Sequence, residues 1–282
     1  MIDFMNIITY GLLQYVFNRN LYPKYMTYLK PHDIEKFNHD GFLVKQKFFD
    51  DDEIFEIRKW VYQYAEKKPE DWKKGQEMGY YETSLKDGNR ILTRLENFVN
   101  FNKKFHDLVY SPKIIDSVEE LLGEKCVLFK EKINFKNPGG SGFKPHQDAI
   151  SRWDDYASDF MNVLVCTDKG TLDNGCLEVA AGFHDKGLLG PYDAPIPDEY
   201  LKKMDFQPLQ HMLGDVVFFN SFTPHQSQEN KTELPRTNIY LTYSKLSQGD
   251  HREKYFTRKR KELPPDNERN GDFKDSPLHN YK

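Results

Sequence analysis

The sequence predicts a mainly β fold with flanking helices, arranged as a jelly roll of the cupin kind. Three observations carry that expectation. Helical periodicity is confined to the chain up to Leu122, and period-two alternation takes over from Cys126. Short strand-like runs then follow at 161–166, 177–180, 216–220 and 237–243. Turn signals such as Asp173-Asn174-Gly175 and Ala181-Gly182 separate them. Helices first and many short strands afterwards suggest an antiparallel double sheet.

In order, residues 1–30 read as an appended helical segment, with Tyr, Phe and Leu at irregular helical spacing. Within it, 7–17 is apolar but interrupted by Tyr10 and Gln14, and no small-residue cleavage site follows. That stretch is shorter than the about 20 apolar residues of a membrane span, so an amphipathic helix covering the domain is expected. Pro31 opens a short helix with Asp33 as a cap, and Gly41-Phe42-Leu43-Val44 reads as the first strand. The acidic run Asp50-Asp51-Asp52 suits the positive end of a helix over 53–67. Its Ile54, Ile57, Trp60, Val61 and Tyr64 recur at helical intervals. Residues 78–92 read as loop and strand, and 105–122 as one helix stopped by Gly123. Over 127–135 the odd positions are mostly apolar, while Lys130, Lys132 and Asn134 share the other face. The four prolines of 187–210 mark an irregular stretch that reads either as a lid or substrate loop or as an ordered surface excursion. Residues 248–282 form a polar tail packing on the same domain, which leaves 31–247 as the domain proper.

Composition removes several classes. At 282 residues with 38% hydrophobic and 15% aromatic content, the chain has ample material for a packed core. A formal charge of -4 lacks the basic excess of a nucleic-acid binder. Cys126, Cys166 and Cys176 are odd in number and lack metal-ribbon spacing, which points to a reducing, cytoplasmic setting.

The chemistry gathers at Phe143-Lys144-Pro145-His146-Gln147-Asp148, straight after the turn-rich run Asn137-Pro138-Gly139-Gly140-Ser141-Gly142. At strand spacing, residues i and i+2 point to one face, so His146 and Asp148 project together. The apolar run after Gly214 delivers a second imidazole, His225. Two His and one carboxylate occupy one face of an Fe(II) octahedron and leave three positions open. Arg236, eleven residues past His225, is placed to return its planar fork to the same pocket and clamp a carboxylate. Ser227 shares the face of His225 and adds a hydroxyl. Singly, each of these is an ordinary turn, strand or surface residue; the combination carries the reading. The remaining histidines, His184 included, read as structural, and Cys176 as buried packing.

Lys130-Glu131-Lys132-Ile133-Asn134, Gly139-Gly140, Pro145-His146-Gln147-Asp148, the run Asp173-Asn174-Gly175-Cys176-Leu177-Glu178-Val179, Gly214-Asp215-Val216, His225-Gln226-Ser227 and Arg236 together resemble the phytanoyl-CoA dioxygenase family, over 41–244. The resemblance implies a double-stranded β-helix carrying a non-haem Fe(II) enzyme that uses 2-oxoglutarate and dioxygen. It implies His146, Asp148 and His225 as catalytic iron ligands, and Arg236 and Ser227 as the residues holding the far carboxylate of 2-oxoglutarate. Lys132, Asn134 and Trp153 match positions lining the co-substrate or substrate pocket. Halogenating relatives replace the carboxylate that Asp148 keeps, so hydroxylation of an unactivated C–H bond is the expected reaction. Lys130, Lys132, Lys136 and Lys144 favour a small anionic metabolite, a phosphonate or carboxylate, and the resemblance extends to 2-aminoethylphosphonate hydroxylases. Three alternatives stay open: an acyl-CoA substrate, a non-catalytic metal- or ligand-binding cupin, and isomerisation, cyclisation or desaturation. A small-molecule substrate is expected, without nucleic acid or membrane span, and the oligomeric state is open.

Overall fold

The computed structural model describes residues 27–269. The helix expected within 1–30 and the end of the tail lie almost wholly outside them. The first helix, α1 (Pro31–Asp40), starts on proline and ends on Gly41 in the left-handed region. Asp33 completes its first turn by accepting the Lys30 N–H at 2.7 Å. After β1 (Phe42–Lys45), Asp50 caps α2 (Asp51–Ala65) by accepting the Glu53 N–H, and Glu53 accepts the Asp50 N–H in return. Ile54, Ile57, Val61 and Tyr64 are the buried stripe of α2.

Two readings change in the next stretch. Residues 78–96 form a full hairpin, β2 (Met78–Thr83) with β3 (Arg90–Glu96), where loop and strand were expected. The single helix expected over 105–122 is two, α3 (Lys103–Val109) and α4 (Pro112–Leu122). Pro112 cannot continue a preceding helix and disfavours helical backbone at Ser111, so it starts its own.

The remaining strands are β4 (Cys126–Lys136), β5 (Phe143–His146), β6 (Phe160–Val165), β7 (Leu177–Ala180), β8 (Phe206–Leu209), β9 (Val216–Asn220), β10 (His225–Ser227) and β11 (Arg236–Lys245). Among the described residues all pairings are antiparallel. One sheet runs β1-β9-β6-β11-β4-β3-β2 and the other β5-β10-β7-β8. This is the expected jelly roll. Alternation sorts the large sheet's side chains: Val163, Phe218, Ile239 and Leu241 join the helices' core, while Leu164, Phe219 and Tyr240 pack towards Leu177 and Val179 of the small sheet.

Strand β4 departs from simple alternation. Its register against β11 jumps from Lys130 opposite Thr242 to Leu128 opposite Tyr243. The extra residue, Phe129, is a bulge, which re-aims a side chain. Leu128, Ile133 and Phe135 therefore face the helix core, and Phe129 joins a separate cluster with Trp153, Tyr156, Phe160 and Tyr255. The odd-position reading held beyond the bulge and failed at it.

The excursion 187–210 is less irregular than expected: it contains a helical turn, α5 (Asp198–Leu201), and the strand β8. Buried Leu189 and Ile196 anchor it. The tail folds as α6 (Arg252–Glu262), tied to the sheet by buried ion pairs of Arg252 with Glu131 and of Lys259 with Glu96. Among the described residues no helix is long and apolar enough to cross a membrane. Cys126, Cys166 and Cys176 are buried and free.

Candidate active site

Strands β5 and β10 are neighbours, with His146 directly opposite His225. Opposed side chains start about 4.5–5.5 Å apart at Cβ, and the two ring centroids lie 4.2 Å apart. Asp148 does not ride on the same strand. The backbone leaves β5 after His146, and Asp148 opens a 3-10 turn, Asp148–Ser151, whose Ile150 N–H donates to Gln147 O at 3.2 Å. The expected strand-face pairing of His146 with Asp148 is corrected accordingly; a turn delivers the carboxylate. One nitrogen or oxygen from each of the three residues lies within 4.8 Å of the others.

Backbone carbonyls fix both imidazoles. His146 Nδ1 is 2.7 Å from Lys144 O, and His225 Nδ1 is 3.0 Å from Thr223 O. A carbonyl can only accept, so each Nδ1 carries the proton and each Nε2 presents its lone pair. Asn162 Nδ2 donates to Asp148 Oδ2 at 3.1 Å, and Thr242 Oγ1 in turn donates to Asn162 Oδ1 at 2.7 Å. Burial pushes the His146 imidazole down to about 3, helped by the neighbouring His225, and lowers His225 as well. For Asp148 burial opposes ionisation, but Lys132, with Nζ 4.0 Å from Oδ1, and the histidines outweigh it and hold the carboxyl low. Two neutral imidazoles and one carboxylate are therefore ready without deprotonation, the state that metal ligation needs.

Gln147, between the two, is wholly buried and spends its side chain on bracing. Its Nε2 donates to Gly187 O and Phe222 O, and its Oε1 accepts the Leu189 N–H. No sequence pattern announces that role.

The site opens into a cavity of about 410 Å³. Its floor is one face of β4: Lys130, Lys132, Asn134 and Lys136 at every second position. Arg236, the first residue of β11, lies opposite Lys136 of β4, and its Nε donates to Asn174 O at 3.2 Å. Lys136 donates to Ser227 Oγ at 2.8 Å. Gly175 is needed beside them: at φ +68 with Gln228 O 2.1 Å from where a Cβ would stand, no side chain fits. Trp153 lines the opposite end of the floor, under Lys130. All eight residues singled out from sequence thus meet in this cavity. Lys144 does not; it is exposed and outside the lining. Sequence reasoning missed Arg94 of β3, and Tyr255, Arg258 and Lys259 of α6. Tyr240 was findable, since it follows Arg236 by four on the same strand face. His184 packs against Gly41, consistent with a structural role.

A jelly roll offering two imidazoles and a carboxylate beside a buried guanidinium defines a class, the non-haem Fe(II), 2-oxoglutarate-dependent oxygenases. The model for Phytanoyl-CoA dioxygenase (PhyH) matches residues 37–238, and the chain belongs to that family. It is 36% identical over 247 residues to a 2-aminoethylphosphonate dioxygenase of uncultured bacterium HF130_AEPn_1, covering 86% of this chain and 92% of the relative. It is 32% identical over 236 residues to a methylphosphonate hydroxylase of Gimesia maris, covering 83% and 88%. The structure of EctD from S. alaskensis with 2-oxoglutarate and 5-hydroxyectoine superposes with a TM-score of 0.68 at 19% identity, covering 80% of each chain, a likeness of fold. The protein is a dioxygenase of this family, with Fe(II) as its metal and 2-oxoglutarate and dioxygen as co-substrates.

Proposed function

We propose that this enzyme hydroxylates a C–H bond of a small phosphonate. The observation that carries the reading is the charge of the cavity wall: eight Lys and Arg side chains against four Asp and Glu, one of which is Asp148. Such a wall favours a dianion over a neutral or cationic metabolite. The two phosphonate-oxidising relatives point the same way. A cavity of about 410 Å³ that must also admit 2-oxoglutarate leaves little room for an acyl-CoA.

His146 Nε2, Asp148 and His225 Nε2 would hold the iron. When bound, it would couple oxidative decarboxylation of 2-oxoglutarate by dioxygen, which places one oxygen atom in succinate and releases carbon dioxide, to insertion of the other oxygen atom into the substrate. The chain's own part is binding, orientation and exclusion of water. Arg236 and Ser227 would take the far carboxylate of 2-oxoglutarate, and Lys132 and Asn134 would line its path. Trp153 would border the substrate. The turn Arg152–Asp155 and the segment 187–197 meet at the mouth, where Arg152 pairs with Asp193 at 3.2 Å. Both residues have left-handed backbone, φ 57 and φ 56, a strain that clusters at sites that must hold a shape.

The test is turnover. Purified enzyme with Fe(II), ascorbate and 2-oxoglutarate is offered methylphosphonate, 2-aminoethylphosphonate, matched carboxylates and an acyl-CoA, and both succinate and oxidised product are quantified. Phosphonate-dependent succinate with a hydroxylated product is expected. Product from the carboxylates or the acyl-CoA alone would refute the reading.

A further inference from the structure

The cations on the cavity floor are not equivalent. Lys136 donates to Ser227 Oγ, Gly175 O and Gln228 O. Lys259 and Arg94 pair with Glu96, and Lys132 faces Asp148. Lys130 is different: among the described residues no hydrogen-bond acceptor or carboxylate lies on its ammonium, although the residue is only 6% exposed. Its Nζ instead sits over aromatic rings, 4.1 Å from the Trp153 centroid and 5.7 Å from that of Tyr255. Burial, with Lys132 and Lys259 close by, pushes this amine well below its usual range, and cation–π contact offsets only part of that cost.

Trp153 beside it also carries a donor without an acceptor. Its indole N–H is buried with no hydrogen-bond partner, in a residue 1% exposed. The ring is held by Phe129 and Phe160, at centroid distances of 5.7 and 5.2 Å. The β4 bulge puts Phe129 in that position, next to Lys130 on the cavity side. Lys130 and Trp153 both line one cavity, each carries a donor without an acceptor, and both rest on a rigid aromatic floor, an arrangement that calls for a ligand with several acceptor oxygens.

We propose that Lys130 and the Trp153 N–H form the subsite for the substrate's anionic head, a tetrahedral phosphonate group. The proposal rests on the phosphonate reading above and assigns its anion to one end of the floor. Arg236, Ser227 and Lys136 lie at the other end, six residues along β4 or about 20 Å by strand rise. Lys132, beside Asp148, falls between. Two anions therefore have separate poles on either side of the candidate metal position, so substrate and co-substrate need not compete. Carboxylate monoanions carry fewer oxygens and less charge for the Lys130 pole, which makes it selective for the phosphonate class.

The decisive experiment compares parent, Lys130→Met and Trp153→Phe, each as full-length protein loaded with Fe(II) and 2-oxoglutarate under argon. Methylphosphonate and 2-aminoethylphosphonate binding is measured by calorimetry, and 2-oxoglutarate binding in a separate titration. Trp153→Phe keeps an aromatic ring beneath Lys130 and removes the indole's five-membered ring with its N–H, so it serves if Lys130→Met does not fold. Loss of a charge-assisted bond predicts phosphonate Kd values raised about 10–100-fold in Lys130→Met and about tenfold in Trp153→Phe. The 2-oxoglutarate Kd should stay within about twofold of the parent in both. Phosphonate affinity unchanged in both folded variants, or an equal loss of 2-oxoglutarate affinity, would overturn the subsite while leaving phosphonate hydroxylation standing. A parent that neither binds nor oxidises any phosphonate would overturn the functional reading itself.

Discussion

At the scale of single residues, the site is defined by what each side chain has left over after its structural bonds are made. His146 and His225 spend Nδ1 on backbone carbonyls and keep Nε2; Asp148 spends one bond on Asn162. Alanine at any of the three should abolish iron-dependent turnover while circular dichroism and the melting midpoint show an intact fold. Anaerobic Fe(II) titration checks the assignment, and unchanged iron affinity in all three variants would refute it. Arg236→Lys is the sharper test of the co-substrate pole. Lysine cannot reproduce a planar two-donor fork, and a lost charge-assisted hydrogen bond of about 1.5–3 kcal/mol raises half-saturation by 2-oxoglutarate about one to two orders of magnitude. Iron affinity should not change, because Arg236 is not among the three proposed ligands. These residues were legible because metal chemistry needs particular side chains at particular order and spacing. Their geometry was not: the opposition of His146 and His225 is a pairing between strands 79 positions apart, which one-dimensional spacing does not encode.

At the scale of elements, the least legible part proved to be a wall of the site. Helix α6 has a mean apolar signal too weak to stand out, because its inner face is Arg252, Tyr255, Phe256 and Lys259 rather than aliphatic residues. Two of these are cations bound to buried Glu131 and Glu96, so the docking is ionic and cannot be read from hydrophobic periodicity. Arg252→Met should therefore strand the Glu131 carboxylate and cost about 3–5 kcal/mol in chemical denaturation, whereas Arg252→Met with Glu131→Leu should recover much of that loss. If the single and double variants proved equally stable, the pair would not be what holds the helix. The segment 187–197 was legible as an excursion from its prolines, but its anchoring through Gln147 was not. Asp193→Ala releases the Arg152 contact at the mouth. If that contact keeps water from the site, succinate formed per hydroxylated product should rise in this variant; an unchanged ratio would make the segment a passive cover.

At the scale of the molecule, the jelly roll was predictable from strand alternation, and the bulge in β4 is where alternation and structure part. Buried charge across the large sheet also shapes acid stability. Burial alone would push the Glu96 carboxyl up, yet Lys259 and Arg94 outweigh it and hold it down at about 2, from an ordinary 4.5. A depressed carboxyl contributes stability above its unfolded value, and that contribution is lost as pH falls from about 4.5 towards 2. The Lys259 amine is itself lowered by burial, an effect that acts on the alkaline side and leaves the acid limb to the carboxylates. Glu96→Gln should be less stable than the parent at pH 6, with the difference shrinking towards pH 2; denaturant midpoints across that range measure it. The central claim, an iron site serving a phosphonate pocket, meets its most direct test in one stoichiometry: succinate against hydroxylated product, with methylphosphonate or 2-aminoethylphosphonate as the only substrate added beside 2-oxoglutarate and dioxygen. The account predicts near-equal amounts of the two, lost together on His225→Ala. Succinate production that no phosphonate stimulates, or phosphonate oxidation that survives His225→Ala, would contradict it.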